Sequence, residues 1–182
     1  FKFRMKETIK RHYAIIGMAT VADRYPLYYE ATNECGLSIA GLNFPGNAHY
    51  FPMTERKDNI ATFEFIPWIL SQCKDLTEAK RLLWKMNLCD ISFSKAFPLS
   101  PLHWMIAHKD KAITVESRKD GLHIYDNPVG VLTNNPPFEY HMTHLCDYRN
   151  VTARVPENRF GEVPLTTYSR GMGGIGLPGD VS

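Results

Sequence analysis

The sequence lacks most of the patterns that would assign it quickly. Its four cysteines, Cys35, Cys73, Cys89 and Cys146, are scattered and form no C-x-x-C pair, which argues against a structural zinc site. They require no disulfide framework, so a reducing cytoplasm is the simpler setting. None of the seven histidines falls in an H-E-x-x-H pattern. His141 and His144 could share a helix face, and a solvated face is the plainer reading of that pair. No apolar run approaches the length of a membrane span. The 21 basic and 19 acidic residues are well mixed, with no basic block or acidic tail, which makes nucleic acid a poor partner. The glycine-rich run Gly171–Gly179 has neither the lysine of a Walker loop nor the helix of a dinucleotide fingerprint, so no cofactor is expected. No internal repeat or low-complexity tract is present.

What is present suits one domain. At 182 residues, 44% hydrophobic and 22% charged, the chain can bury a sizeable core. It starts at Phe1 without an initiator Met and stops just past the glycine-rich run, so residues 1–182 are expected to be a single-domain internal fragment of a longer protein.

Residues 13–20 form a nearly continuous apolar run, expected as a strand buried on both faces. Residues 28–33 and 37–44 are expected as a strand pair joined by the turn Asn33-Glu34-Cys35-Gly36. Residues 45–59 carry Pro, Gly and Asn and suggest a long loop. Helical spacing follows over 60–72, with Pro67 bending that helix or lying in its first turn. Asp75-Leu-Thr-Glu78 has the form of a capping box, continued by an apolar stripe of Leu76, Ala79, Leu82, Leu83 and Met86. After a Phe/Pro loop at 93–101, strands are expected at 102–107, 112–116 and 122–126, then a strand over 129–136 and a helix near 138–148. Helices segregated from an antiparallel meander imply an α+β layered fold.

Two segments carry the candidate chemistry. Gly36–Gly46 and Val129–Pro136 each read as an apolar strand ending in Asn, Asn43 and Asn134, with Pro close behind. Two amides brought to one point suit the stabilisation of an oxyanion. The alternative is an Asn that bonds its own turn backbone. No nucleophile is evident beside them. Cys35 lies in a turn next to Glu34 with no local base or cation to activate it, and Cys73, on a helix of amphipathic pattern, is expected in the core.

Five longer motifs extend the picture: 33–46 (NECGLSIAGLNFPG), 65–70 (FIPWIL), 99–104 (LSPLHW), 125–136 (YDNPVGVLTNNP) and 168–180 (YSRGMGGIGLPGD). In this order the chain resembles the choloylglycine hydrolase and penicillin V acylase family, and within it the conjugated bile salt hydrolases. The resemblance implies a four-layer αββα N-terminal-nucleophile hydrolase sandwich, incomplete over these residues. It implies hydrolysis of the amide bond of glycine- or taurine-conjugated bile salts by an N-terminal Cys whose own α-amino group is the base. The segment holding that Cys, its Arg and Asp neighbours, and a further Arg would lie outside the chain. By the same resemblance the backbone N–H of Asn43 and the side-chain amide of Asn134 form the oxyanion hole. Ala22, Tyr29, Phe93, Phe97 and Leu102 would line the steroid pocket, and the protein would be a homotetramer. Asn rather than Tyr at position 43 favours a bile salt hydrolase over a penicillin V acylase. Penicillin V or N-acyl-homoserine lactone acylase activity, and non-catalytic binding of an amphipathic acid, stay open as alternatives.

Overall fold

The computed structural model describes residues 1–149, 151 and 159–165. The chain divides into two compact units, Phe1–Pro137 and Phe138–Ser182. The first is built on a six-stranded antiparallel sheet. Its strands are β1 (Ile15–Ala22), β2 (Tyr25–Asn33), β3 (Ser38–Asn43), β6 (Leu102–His108), β7 (Lys111–Arg118) and β8 (Gly121–Asp126), side by side in that order. Between β3 and β6 the chain makes one excursion. It carries β4 (Asp58–Ala61), a short 3-10 turn, α1 (Phe65–Leu70), α2 (Leu76–Lys85) and β5 (Met86–Cys89), with β4 and β5 paired in parallel.

The helices cover one face of the sheet. α1 packs on β2 and β3, and α2 on β6. The core between them is apolar and fully buried, and includes Leu37, Ile39, Phe65, Ile69, Leu83, Trp104, Ile106 and Val115. Phe65 of α1 lies against Trp104 of β6 with ring centroids 4.2 Å apart. Pro67 falls in the first turn of α1, where its missing N–H has no helical partner to lose. Asp75 caps α2 by accepting from the Glu78 N–H at 3.0 Å, and that bond holds its carboxyl below the usual range. The reciprocal bond of the box is shifted by one residue: Glu78 accepts from the Lys74 N–H at 2.9 Å. Asn33 fastens the β2–β3 turn to the end of α1. Its amide donates to Leu70 O at 2.9 Å and Cys73 O at 2.7 Å, and its oxygen accepts from the Cys35 and Leu37 N–H groups.

Four sequence expectations are corrected here. The 13–20 strand is not buried on both faces: Ile16, Met18 and Val21 are exposed. It pairs tightly with β2, and a Cβ on Gly17 would strike the Glu30 carbonyl oxygen and Ala31 Cβ. The helix expected from residue 60 begins at Phe65, because Ile60 and Ala61 belong to β4. Met86 leaves the α2 stripe to open β5. Residues 129–136 form no strand; β8 ends at Asp126, and an irregular segment held by side-chain bonds follows. Its apolar residues suggested a strand, but Val129 and Val131 are exposed.

The second unit holds α3 (Phe138–His144), a 3-10 turn over Leu145–Tyr148, and the two-residue strands β9 (Arg159–Phe160) and β10 (Val163–Pro164), paired antiparallel. His144 Nε2 lies 3.6 Å from an Asp147 carboxylate oxygen. The run 168–180 lies outside the described residues.

Candidate active site

The site is assembled where β3 ends and β6 begins. Asn43 is the last residue of β3 and is paired in register with Leu102, the first residue of β6. The chain turns away directly after it, with the Phe44 N–H bonded to Pro101 O at 2.8 Å. Asn134 arrives from the irregular segment. The Asn43 backbone N–H donates to Asn134 Oδ1 at 3.0 Å. The two amides read from sequence are therefore in contact, but they bond each other rather than opening side by side. A network of further amides surrounds them. The Asn135 N–H donates to Asn43 O at 3.2 Å, its side chain donates to Pro45 O, and Asn47 donates to Asn135 Oδ1 at 2.9 Å.

The segment that carries Asn134 is shaped by Asn127, which is buried. Asn127 Nδ2 donates to Thr114 Oγ1 at 3.2 Å and to Val131 O at 2.9 Å, and its oxygen accepts from the Gly130 N–H at 3.0 Å. Closer to the site, His103 Nε2 lies 2.9 Å from Thr133 O and Nδ1 lies 3.2 Å from Glu116 Oε1. His103 and Glu116 have no solvent exposure. Successive strand residues face opposite ways, so Trp104 and Val115 look toward the helices while His103, Thr114 and Glu116 look toward the 127–134 segment. A carboxylate buried at this depth needs a partner. It has the His103 ring, and Arg118 Nη1 lies 3.8 Å from Oε2.

Beside the amide pair is an apolar cavity of about 270 Å³. Tyr29, Phe93, Phe97 and Leu102 line it together with Phe63 and Ile66. Ala22 does not line it; it ends β1, paired with Tyr25 and two residues beyond Thr20, which does line the cavity. Phe93 is edge-on to Phe63 at 5.2 Å and to Phe97 at 6.1 Å, and the Arg4 guanidinium carbon lies 3.9 Å from the Phe93 ring centre. Phe97 and Tyr29 are 38% and 60% exposed, so both belong to an open wall rather than to the core. Tyr50 pins the wall's far end, donating to Ser100 O at 2.8 Å and accepting from the Leu102 N–H at 2.9 Å; burial pushes its phenol up to about 12. Because Leu102 both lines the cavity and pairs with Asn43, cavity and amide pair share one end of the β3–β6 ladder. A larger hollow of about 960 Å³ lies between α2 and the β6–β7 hairpin and touches none of the residues expected at the site.

Two of the four cysteines, Cys73 and Cys89, are buried. Cys73 is buried and its thiol is pushed up to about 12, chiefly by burial and further by Glu78 and Asp75. Cys89 is buried too, and its thiol is raised by desolvation. Neither can supply the thiolate that nucleophilic attack needs. Sequence reasoning missed Asn127, Glu116 and the partners of His103. One signal was available: Glu116 follows the β-prone run Ala112-Ile-Thr-Val115, at a strand position facing away from Val115.

The same α+β arrangement occurs in penicillin V acylase from Agrobacterium tumefaciens, at 18% identity and a TM-score of 0.55 over 72% of this chain and 40% of that one, a likeness of fold. That defines a fold class, an α+β fold with a large antiparallel sheet. More specifically, the chain belongs to the linear amide C–N hydrolases, choloylglycine hydrolase family, whose family model matches residues 1–182. It is 54% identical over 99% of its length to a bile salt hydrolase/transferase of Lactiplantibacillus plantarum, covering 56% of that protein. It is 37% identical over 99% of its length to a conjugated bile acid hydrolase of Lactobacillus acidophilus, covering 57% of it. A crystal structure of a variant of conjugated bile acid hydrolase from Clostridium perfringens superposes with a TM-score of 0.80 at 40% identity, over 93% of this chain and 53% of that one. The chain thus spans about half the length of the curated relatives it matches. Among the described residues no helix is long and apolar enough to cross a membrane.

Proposed function

We propose that the protein to which this chain belongs hydrolyses the amide bond of bile acids conjugated to glycine or taurine, and that this chain supplies the oxyanion donors and one wall of the sterol pocket. The bile salt and conjugated bile acid hydrolases among its relatives support the substrate class. The observation that carries the reading is the 3.0 Å bond between the Asn43 N–H and Asn134 Oδ1 beside an apolar cavity.

In this reading the nucleophile is an N-terminal Cys thiolate. It adds to the amide carbonyl carbon, and the carbonyl π pair moves to oxygen. That oxygen takes the place of Asn134 Oδ1 on the Asn43 N–H, and Asn134 turns its amide so that Nδ2 donates to the same oxygen. Collapse of the tetrahedral intermediate breaks the C–N bond. The amine leaves with the proton that the α-amino group of that Cys took from its thiol, and the bile acid remains as a thioester. Water then adds to the thioester, releasing the acid and regenerating the thiol. The rigid apolar sterol body packs on Phe93, Phe97 and Leu102, in keeping with the apolar lining of small-molecule sites. The same reading makes the intact protein a cytoplasmic homotetramer, which sedimentation and fractionation check.

The test is Asn134→Ala in the intact protein. Losing one donor made only in the transition state should lower kcat by about 10²–10³ with KM little changed. Near-normal kcat with a lowered denaturation midpoint would instead make Asn134 a turn residue and remove it from the mechanism.

A further inference from the structure

His103 touches both arms of the amide pair from behind. Its ring stacks on Phe44, the residue that follows Asn43, with centroids 4.3 Å apart and planes 7° from parallel. Its Nε2 lies 2.9 Å from the carbonyl oxygen of Thr133, the residue that precedes Asn134. A carbonyl can only accept, so Nε2 must carry a proton. The other nitrogen, Nδ1, is 3.2 Å from Glu116 Oε1. Either Nδ1 donates to a carboxylate or Glu116 donates to it; in both cases the ring cannot flip without breaking two bonds. All of this happens without solvent, since His103, Glu116 and Phe44 are completely buried. The packing leaves the ring no alternative orientation, and the ring fixes the carbonyl plane from which Asn134 projects.

We propose that His103, held by Glu116, is the positioning residue that sets the separation of the two oxyanion donors. This rests on the reading that Asn43 and Asn134 stabilise the oxyanion. The ring bears on Asn43 through the stacked Phe44 and on Asn134 through the Thr133 peptide. It makes no contact with the reacting atoms. A displacement of the donors by a fraction of a bond length is felt in rate before it is felt in binding, because the oxyanion exists only along the reaction path.

The test compares three replacements in the intact protein. His103→Phe keeps a flat ring against Phe44 but has no N–H. His103→Gln offers an amide N–H near the position of Nε2. Asn134→Ala removes the donor itself. His103→Phe should lower kcat about 10–100-fold and leave KM within about twofold. His103→Gln should recover most of the lost rate. Placed on Asn134→Ala, His103→Phe should lower kcat by no more than about a further twofold, since both act through one donor. If His103→Phe fails to fold because Glu116 loses its bond to the ring, His103→Phe with Glu116→Leu removes the buried carboxyl group and carries the same expectation. Normal kcat in His103→Phe with a lowered midpoint, alongside a crippled Asn134→Ala, would overturn this inference and leave the function standing. So would a full multiplicative loss in the double replacement, or a His103→Gln as slow as His103→Phe. A near-normal rate in Asn134→Ala would overturn the functional reading and this inference with it.

Discussion

Asn43 and Asn134 meet across one hydrogen bond, but their segments are held in different ways. Asn43 ends a regular strand, β3, which is paired with β2 on one side and β6 on the other. Its place is set by a ladder of backbone bonds, and no single side chain decides it. Asn134 sits on a segment with no ladder. That segment is held by Asn127 against Thr114, Val131 and Gly130, by His103 against Thr133, and by the Asn135 N–H against Asn43 O. The contrast is between redundancy and dependence. A ladder loses little when one contact goes, whereas the segment depends on a few buried polar side chains that leave partners unsatisfied when removed.

Three replacements in the intact protein test that contrast, beginning with the largest. Asn127→Ala removes three bonds at a buried position, takes the amide donor from Val131 O, and leaves the Gly130 N–H only its 3.4 Å bond to the carbonyl of residue 127. We expect a loss of about 2–3 kcal/mol in denaturant unfolding, with kcat lowered as Asn134 loses its register. An unmoved midpoint would show that the segment is not hung on Asn127. Gly130→Ala follows. Gly130 has φ +66 and nothing within 4 Å of where a Cβ would go, so the cost is backbone strain alone, about 1–2 kcal/mol. A thermal scan reads it, and a result at the wild-type midpoint would mean that the turn can relax into another conformation. Smallest is Ser38→Ala on β3, which removes a 2.8 Å bond to Thr32 and nothing from the ladder. It should cost less than about 1 kcal/mol and leave kcat unchanged. A loss as large as that of Asn127→Ala would erase the distinction between the two segments.

The same contrast explains what could be read from the chain. β2, its turn, β3, the β6–β7–β8 meander and the start of α2 were legible because β-prone runs, the glycines of the β2–β3 and β7–β8 turns and the Asp75 cap are local signals. The segment 129–136 was not, although its amides drew notice. Its composition suits a strand, and what prevents one is the set of buried bonds that Asn127 makes to residues on β7 and beyond β8, which spacing does not reveal. β5 was hidden for a related reason. Met86 continues the apolar stripe of α2, and only the parallel partner β4 turns it into a strand. At the site, the meeting of Asn43 with Asn134 was expected from sequence, while their bond to each other and the buried His103–Glu116 support were not. Ala22 was expected at the pocket by resemblance alone and lies outside the cavity.

One further consequence follows from the bond between the Phe44 N–H and Pro101 O. The excursion that carries both helices, the β4–β5 pair and the Phe93–Phe97 wall leaves the sheet and rejoins it at a single point. It is a closed insert, anchored by the β3–β6 ladder and not required to thread through it. Lengthening its surface turns costs closure entropy that grows only with the logarithm of their length. The shape of the cavity and the position of Asn43 are thereby separable heritable traits: the wall between residues 91 and 100 can change while the ladder beneath Asn43 keeps its pairing.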